Sequence, residues 1–278
     1  MSKKRKLVAR KRRLDAAVQA IQQKWGTQAI HKGKSSVADS AVPCLPTGLL
    51  SLDRILSTSG NSGTDVQEAR HQGGLPLGHI SEMIGQPTSG KRTLALRVLA
   101  HTQRRHPCVY IDLAQTFDPA YAAACKVDLS RLSIATPANP RQALNLIGDL
   151  TAGGHFALIV FDSTAELLTE AMPESATAAM LRRLLQTLHG KHCVLLFLTT
   201  PFFGEADSAH NYPAGFNLAQ AAALRLLIDR DRWLRRRDGN IQGYEAQVKV
   251  LRHRWGRVGR QTSVQITFNG VHVQSPDD

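Results

Sequence analysis

Continuous apolar runs of strand length recur through the middle of the chain, and amphipathic stretches separate them. The apolar runs are PCVYIDL (107–113), FALIVFD (156–162) and CVLLFLTT (193–200), and the more polar HISEMIG (79–85) is a further predicted strand. The helical patterns are RTLALRVLAHTQRR (92–105), PRQALNLIGDLTAGG (140–154) and AAMLRRLLQTLHGK (178–191). Buried strands that alternate with helices are typical of a mainly parallel sheet covered on both faces. The sequence therefore predicts an α/β core.

The two ends of the chain follow other patterns. At the C-terminal end, three segments predict an antiparallel meander that extends the sheet: 223–237, 244–255 and 263–273. Near the N-terminus, Leu14, Val18, Ile21 and Trp25 recur at helical spacing, which predicts a helix with one apolar stripe. Gly26 is expected to end this helix.

We expect two parts in the chain. Residues 1–42 hold a basic arm, the helix, a short extended piece (27–33) and a polar linker, and residues 43–278 form the core. The arm, MSKKRKLVARKRR, carries eight Lys or Arg. It is either a nucleic-acid contact or a solvated tail. The Gly- and Ser-rich segment 57–72 predicts a surface loop.

Composition favours a polyanionic partner, with nucleic acid first and an anionic membrane surface second. The 278 residues carry a formal net charge of +13, and the pI is about 10.1. There is no apolar run of transmembrane length and no apolar signal core, so we expect a cytoplasmic protein without a membrane partner. The four cysteines are widely spaced, which predicts reduced thiols.

A glycine-rich loop lies between a predicted strand and a predicted helix. GQPTSGKRT matches the phosphate-binding loop pattern up to its lysine, but an arginine then stands where the pattern has Ser or Thr. Backbone N–H groups and a helix N-terminus would hold phosphate, and Lys91 would reach the β- and γ-phosphates. The alternative is a coincidental glycine turn. The predicted nucleotide-binding residues of the loop are Gly85, Gln86, Pro87, Thr88, Ser89, Gly90, Lys91, Arg92 and Thr93.

An aspartate ends the predicted strand 156–162, the second strand after the glycine loop. In LIVFDS, four apolar residues precede Asp162 and Ser163. A carboxylate at a strand end near a phosphate loop holds the magnesium shell through water. We therefore predict this role for Asp162; the alternative is a carboxylate that only caps the following turn.

Several segments together resemble the bacterial RecA recombinase family. They are CLPTGLLSLDRIL (44–56), GGLPLGHISEMIGQPTSGKRTLALRVLA (73–100), YIDLAQTFDPAYA (110–122), LIVFDSTAEL (158–167) and EAQVKVLRHRW (245–255). The segment AVQAIQQKWGTQAIHKG (17–33) is similar to the family's N-terminal helix and the strand that docks on an adjacent protomer. The resemblance covers nearly the whole chain and is weakest over 170–219.

The resemblance implies a fold, cofactors and partners. The fold would be a RecA-like P-loop NTPase core, mainly parallel with antiparallel C-terminal strands, preceded by the N-terminal helix and docking strand. The cofactors would be ATP and Mg²⁺. The partners would be single-stranded and double-stranded DNA, and self or an active RecA through the N-terminal helix and strand. The implied processes are recombination, DNA repair, the response to DNA damage and the SOS response. We expect a divergent paralogue that lacks the C-terminal domain of bacterial RecA.

The resemblance also implies roles for individual residues. Asp118 and Tyr121, in DPAY, match the residues that contact and stack on adenine. Arg252 and Arg254 match two lysines that reach the phosphates of a neighbouring subunit's nucleotide. Arginine keeps the charge there and adds a planar fork.

Other positions depart from the family. Ala114 stands at the position of the catalytic glutamate, so no catalytic residue is intact, and Asp112 or Glu166 would have to substitute. Arg92 replaces the magnesium-ligating threonine; it repels the metal and can partly replace it by pairing with phosphate. Thr93 comes one residue late and is a doubtful ligand, so we expect weak or altered Mg²⁺ binding.

Residues that in the family connect the nucleotide site to the DNA-binding loops also differ in this sequence. Thr200 replaces the glutamine that senses the γ-phosphate, and Gln220 replaces an aromatic residue after the second DNA loop. The stretch 172–180 is shorter than the first DNA loop of RecA. Together these departures predict impaired hydrolysis.

The C-terminal third of the chain carries a basic run. Two tryptophans, Trp233 and Trp255, are interleaved with its charges, and each is either a base-stacking residue or a core residue. The loop 201–216 occupies the place of the second DNA loop. The predicted DNA-binding residues are Arg232, Arg235, Arg236, Arg237 and Arg257.

Three functions stay open at this point. The first is a RecA-like nucleotide- and DNA-binding protein with impaired ATP hydrolysis that acts in or on a filament on single-stranded DNA. The second is an active DNA-dependent ATPase recombinase. The third is a non-enzymatic DNA-binding scaffold with a vestigial phosphate loop.

Overall fold

The computed structural model describes residues 2–26, 30, 42–58, 73–169, 172–201, 211–267 and 270–272. The chain divides into two compact units, residues 1–41 and residues 42–278. Several predicted segments lie wholly or mostly outside the described residues. They are the extended piece 27–33, of which Ile30 is described, the linker 34–42, the loop 57–72 and the centre of the loop 201–216.

The first unit contains one long helix, α1 (Ser2–Trp25). The helix includes the basic arm, which the sequence placed ahead of it. Gly26 ends the helix, as predicted, with φ of +88° and its N–H bonded to the Gln22 carbonyl at 2.9 Å. Of the apolar stripe, Leu14, Ile21 and Trp25 are exposed.

The second unit is built on a nine-stranded sheet of described residues in the order β11-β10-β9-β8-β3-β7-β6-β4-β5. Its strands are β3 (His79–Ile84), β4 (Cys108–Asp112), β5 (Leu132–Ala135), β6 (Leu158–Asp162), β7 (Val194–Thr199), β8 (Leu224–Arg235), β9 (Ile241–His253), β10 (Gln261–Thr267) and β11 (Gly270–His272). A separate antiparallel pair consists of β1 (Cys44–Leu45) and β2 (Leu75–Pro76).

Helices cover both faces of this sheet. The remaining helices are α2 (Leu50–Ile55), α3 (Lys91–Thr102), α4 (Pro119–Ala124), α5 (Pro140–Gly153), α6 (Glu174–Leu188) and α7 (Leu218–Ala221). Alternate residues of each central strand face opposite sides. Met83 of β3 therefore packs in the core with α2, α3 and α4, and Ile80 packs in the core with α5 and α6.

The strand directions confirm the predicted fold class. The six strands from β8 to β5 in the sheet order run parallel, and β8, β9, β10 and β11 form an antiparallel meander. The sequence did not predict the short elements β1, β2, α2, α4, β5 and α7. Short elements of this kind carry too little periodicity to be recognised.

A buried ion pair joins two neighbouring parallel strands. Glu82 of β3 is fully buried, and its carboxylate accepts from Arg225 Nε of β8 at 2.8 Å. The hydroxyls of Thr199 and Tyr212 donate to its other oxygen at 2.6 and 2.5 Å. These donors satisfy a charge that would otherwise be costly to bury, and they tie the centre of the sheet together.

The carboxyl ends of the parallel strands meet at one edge of the sheet. The glycine loop follows β3, and β4 and β6 end in Asp112 and Asp162. In open α/β sheets, ligands bind at this edge. No helix among the described residues is both long enough and apolar enough to span a bilayer.

Candidate functional site

The loop between β3 and α3 has the shape of an anion cradle. Its first N–H, of Gly85, bonds to the Thr199 carbonyl at 3.1 Å, which anchors the loop on β7. Thr88 and Gly90 have φ values of +66° and +100°. Such turns direct successive N–H groups to one side, and α3 then begins at Lys91. Glycine is favoured at position 90 by its positive φ, and an added Cβ there would also lie 2.2 Å from Ile266 Cδ1, which would have to move.

Lys91 lies at the start of α3, inside the cradle. Its amine donates to the Gln86 carbonyl at 3.4 Å. Burial lowers the pKa of the Lys91 amine to about 8, against the opposing effect of Asp162, and Arg92 lowers it further. The amine is therefore charged at neutral pH but titrates far closer to neutrality than an exposed lysine.

Arg92 turns toward the end of β6. Its Nε donates to Asp162 Oδ2 at 2.5 Å, and its Nη2 donates to the Thr116 hydroxyl at 3.0 Å. The Tyr110 hydroxyl donates to the same Asp162 oxygen at 2.5 Å. Burial raises the pKa of Tyr110 and the neighbouring carboxylate of Asp162 raises it further, so this hydroxyl stays protonated and remains a donor. Asp162 itself is buried.

Thr93 faces the helix side of the site. Its hydroxyl and that of Tyr121 are 2.7 Å apart and hydrogen-bonded. Tyr121 is held near the loop by α4, whose N-cap is Asp118. The Asp118 carboxylate accepts from the backbone N–H groups of Ala120 and Tyr121 at 2.9 and 3.1 Å. Asp118 and Tyr121 thus lie on the same side of the sheet as the loop, and their contact with adenine stays a prediction.

These groups line a cleft of about 820 Å³ at the edge of the sheet. One wall is the loop and the start of α3, and a second is the segment Thr116–Tyr121. The cleft is lined by Pro87, Thr88, Gly90, Lys91, Arg92, Thr93, Leu96, Thr116, Phe117, Asp118, Tyr121, Asp162, Ser163, Thr200, Arg230, Trp233 and Tyr244.

The opposite wall comes from the β8–β9 hairpin, which sequence reasoning did not assign to this site. Arg230 lies over the Trp233 ring at 4.6 Å, and its Nη1 donates to the Thr88 hydroxyl at 3.4 Å. Trp233 meets Tyr244 edge to face with ring centroids 5.9 Å apart. The aromatic pair and the guanidinium offer stacking area and positive charge on one side of the cleft.

A β-bulge puts these side chains on one face. Arg230 pairs with Ala246, but Arg232 pairs with Glu245, so Asp231 is an extra residue in β8. In a regular strand, Arg230 and Arg232 would share a face. The extra residue instead turns Trp233 toward the cleft and turns Arg232 to the other face, where its Nε donates to Glu245 at 2.5 Å.

The candidate substitutes for the missing glutamate do not reach the cleft. Asp112 is buried, and its two oxygens accept from the backbone N–H groups of Thr116 and Phe117 at 3.1 and 2.8 Å. Among the described residues, the cleft lining includes Thr200 but neither Ala114 nor Glu166. The Asp112 carboxylate therefore fixes the loop that carries Thr116 and does not line the cleft.

Arg252 and Arg254 lie at the other edge of the sheet. Arg252 Nη1 donates to the Ala219 carbonyl at 2.9 Å, and Arg254 lies over the Trp255 ring at 5.4 Å. Trp255 in turn packs edge to face on His79, at the start of β3. Neither arginine lines the cleft of its own chain, and the predicted contact with a neighbouring subunit's nucleotide stays a prediction. For Trp255, these contacts favour the core alternative.

The predicted DNA-binding arginines fall in two places. Arg235, Arg236 and Arg237 are exposed at the end of β8 and in the turn before β9, and Arg232 is nearby. Arg257 lies in the loop after β9. A thirteen-residue strand is about 40 Å long, so one compact contact cannot include both groups.

A glycine loop between a parallel strand and a helix, a lysine at the helix start and an aspartate ending a nearby strand define a P-loop core. Residues 12–272 match the RecA N-terminal domain family. The chain belongs to this family.

Individual relatives agree with this assignment. Protein RecA of Bartonella quintana is 30% identical over 274 residues, which are 92% of this chain and 74% of the relative. Protein RecA of Wigglesworthia glossinidia brevipalpis is 29% identical over 287 residues, or 95% of this chain and 80% of the relative. A crystal structure of the RadB recombinase superposes with a TM-score of 0.57 at 23% identity. It covers 78% of this chain and 98% of its own, and it supports the fold.

Proposed function

We propose that this protein is a nucleotide-binding, DNA-binding member of the RecA family in recombination or DNA repair, and that it hydrolyses ATP very slowly. The observation that carries the proposal is the Arg92–Asp162 ion pair, which lies beside a complete phosphate cradle. The groups that would hold the nucleotide surround the cleft. The groups that would cleave it are replaced or engaged elsewhere.

The expected loss of hydrolysis follows from proton transfer. Attack by water needs a carboxylate that accepts a proton, and alanine at position 114 has none. Asp112, the nearest acidic residue in sequence, is already bonded to two backbone N–H groups. Loss of a general base lowers a rate by about 10² to 10⁴.

A steady-state ATPase assay with single-stranded DNA tests this part of the proposal. We expect turnover lower by about 10² or more than that of an active RecA measured in parallel. Turnover equal to that of the active RecA would show an unorthodox but working ATPase and would refute impaired hydrolysis.

Restoring the two lost groups is the complementary test. The double substitution Arg92→Thr and Ala114→Glu returns a hydroxyl to the loop and a carboxylate after β4. We expect hydrolysis to rise by about 10² or more if the remaining site is competent. The single substitutions are the controls and are expected to gain much less, since each leaves one defect in place.

A measurement of nucleotide binding distinguishes this proposal from the alternative, a non-enzymatic DNA-binding scaffold with a vestigial phosphate loop. We expect isothermal titration to show ATP binding that Lys91→Ala weakens by about ten-fold or more, because a charge-assisted contact to phosphate is lost. Absence of binding by the unmodified protein would favour the scaffold. DNA binding would then be its principal activity.

Single- and double-stranded DNA are the proposed polyanionic partners, and the turn between β8 and β9 is the proposed contact. We expect Arg235→Ser with Arg236→Ser to lower the slope of log affinity against log salt on single-stranded DNA by about 1.4, for two phosphates. Arg104→Ser with Arg105→Ser removes the same charge from an exposed turn elsewhere and is the control. Equal effects of the two pairs would refute a localised contact.

The exposed apolar stripe of α1 is the proposed contact with a second copy of this chain or with an active RecA. Leu14 and Trp25 are both exposed on this helix. We expect electron microscopy on single-stranded DNA with ATP to show filaments that Leu14→Ser with Trp25→Ser abolishes. Gln23→Ser, at an exposed polar position of the same helix, is the control. Filaments unaffected by the double substitution would refute this role for the stripe.

A further inference from the structure

Proteins of the RecA family generally bind ATP together with Mg²⁺. In a P-loop, the metal is held by a hydroxyl after the loop lysine and, through water, by the aspartate at a strand end. Here the residue after Lys91 is Arg92. The next hydroxyl, that of Thr93, is nearly buried and bonded to the Tyr121 hydroxyl at 2.7 Å. The position after the loop lysine therefore offers no hydroxyl, and the Thr93 hydroxyl is already engaged with Tyr121.

One of the two carboxylate oxygens of the aspartate is already engaged. Its Oδ2 already accepts from Arg92 Nε and from the Tyr110 hydroxyl, each at 2.5 Å. A divalent cation in the usual shell of Asp162 would lie next to a guanidinium that carries its own positive charge, and like charges at such distances repel strongly. Among the described residues, no group of three His, Cys, Asp or Glu side chains could hold a metal elsewhere. The residues present do not fit Mg²⁺.

The Arg92 guanidinium supplies positive charge at the position where the metal ion would otherwise supply it. It is a permanent positive charge at the N-terminus of α3, beside Lys91 and lining the cleft. Burial opposes its charge, but the adjacent Asp162 carboxylate outweighs that effect and holds the pKa of Arg92 above its usual value. The described bonds to Asp162 and Thr116 use two of its five N–H donors.

The position of the guanidinium is fixed before a ligand arrives. Asp162 comes from the end of β6 and Thr116 comes from the segment after β4, so two separate elements hold it. Its remaining donors have the planar fork that suits phosphate oxygens. A preorganised cation of this kind does not lose side-chain entropy again when a ligand binds.

We propose that Arg92 takes the place of the divalent cation, so that this cleft binds the polyphosphate of a nucleoside triphosphate without magnesium. The inference rests on the proposed nucleotide binding. Its ligand is the metal-free nucleotide anion, which carries more negative charge than the magnesium complex. Arg92, Lys91 and the N-terminus of α3 together offset more than half of this charge.

The test is isothermal titration of the full chain with ATP, once in excess EDTA and once in excess Mg²⁺. We expect the Kd in EDTA to be equal to that in Mg²⁺ within about three-fold, or tighter, because the guanidinium pairs with the free anion. Binding in Mg²⁺ alone would overturn the inference and leave the proposed nucleotide binding in place. Binding in neither condition would overturn both.

The Arg92→Thr variant is the matched test of the residue. It restores the loop hydroxyl and releases Asp162. We expect its Kd in EDTA to rise by about ten-fold to a hundred-fold, as for the loss of a charge-assisted partner, and Mg²⁺ to recover much of that loss. Unchanged affinity in EDTA would show that Arg92 does not bind phosphate. Folding of the variant is checked by thermal unfolding, and the EDTA comparison on the unmodified chain needs no variant.

Discussion

The pH dependence of nucleotide binding should report the ionisation of Lys91. In the folded protein, burial brings the pKa of this amine down to about 8, from an ordinary value of 10.5. Contact with phosphate requires the charged form. Raising the pH through this value therefore removes a cation from the cradle while leaving the fold and the other contacts in place.

The magnitude follows from the pKa. An amine with a pKa of about 8 is roughly nine-tenths charged at pH 7 and roughly one-tenth charged at pH 9. We therefore expect the Kd for ATP to rise by about ten-fold between these two values. Binding near pH 8 should also take up protons, because phosphate favours the charged amine.

The assay is a fluorescence or calorimetric titration at pH 7, 8 and 9 in buffers of matched ionic strength. Repeating the titration at pH 8 in buffers of different ionisation enthalpy measures the proton uptake. The control is Lys91→Arg, which stays charged throughout this range and also accounts for any ionisation of the nucleotide itself.

The comparison with Lys91→Arg shows whether the amine of Lys91 titrates in this range. If the unmodified protein and Lys91→Arg show the same pH dependence between pH 7 and 9, the amine does not titrate in this window or does not contact phosphate. An ordinary lysine pKa would move the change in affinity above pH 10, outside the measured range.

Three further predictions concern the parts of the protein that support the site. Arg225→Ala leaves Glu82 buried and without its cation, so the free energy of unfolding in urea should fall by about 3–5 kcal/mol. Replacing both residues by leucine should lower it less, and equal losses would contradict this explanation. Gly90→Ala should lower stability by about 1–3 kcal/mol because of its positive φ, whereas Gly148→Ala, where an added Cβ meets nothing within 4 Å, should be neutral or stabilising. Trp233→Phe should abolish most of the energy transfer to a bound N-methylanthraniloyl-ATP, because Trp233 lines the cleft; undiminished transfer would place the base elsewhere.

The fold class and two parts of the cleft, the glycine loop and Asp162, could be predicted from sequence patterns. Apolar strands that alternate with amphipathic helices predicted a mainly parallel sheet, and the structure confirms it. The prediction was possible because the number of buried faces of a strand or helix sets the spacing of its apolar residues. The glycine loop and Asp162 could be assigned because each lies at the end of a recognisable strand. Strand ends of a parallel sheet meet at one edge, so local patterns alone brought these residues together.

The contacts that these residues make depend on the tertiary structure. The sequence showed that Arg92 replaces a metal ligand, but its bond to Asp162 joins positions 70 residues apart. The buried pair of Glu82 and Arg225 spans 143 residues and left no local pattern, since its two members lie on strands that are far apart in the sequence. Such contacts depend on which strands are neighbours.

The side of the cleft formed by the β8–β9 hairpin could not be predicted from the sequence. In the sequence, Arg230 and Trp233 belong to a basic run, and a regular strand would place them on opposite faces. The single extra residue at Asp231 shifts the register and turns Trp233 onto the cleft beside Tyr244. Side chains alternate with a period of two, so one bulge exchanges the faces of every residue beyond it. A bulge is fixed by pairing with the partner strand, and only the folded sheet reveals it.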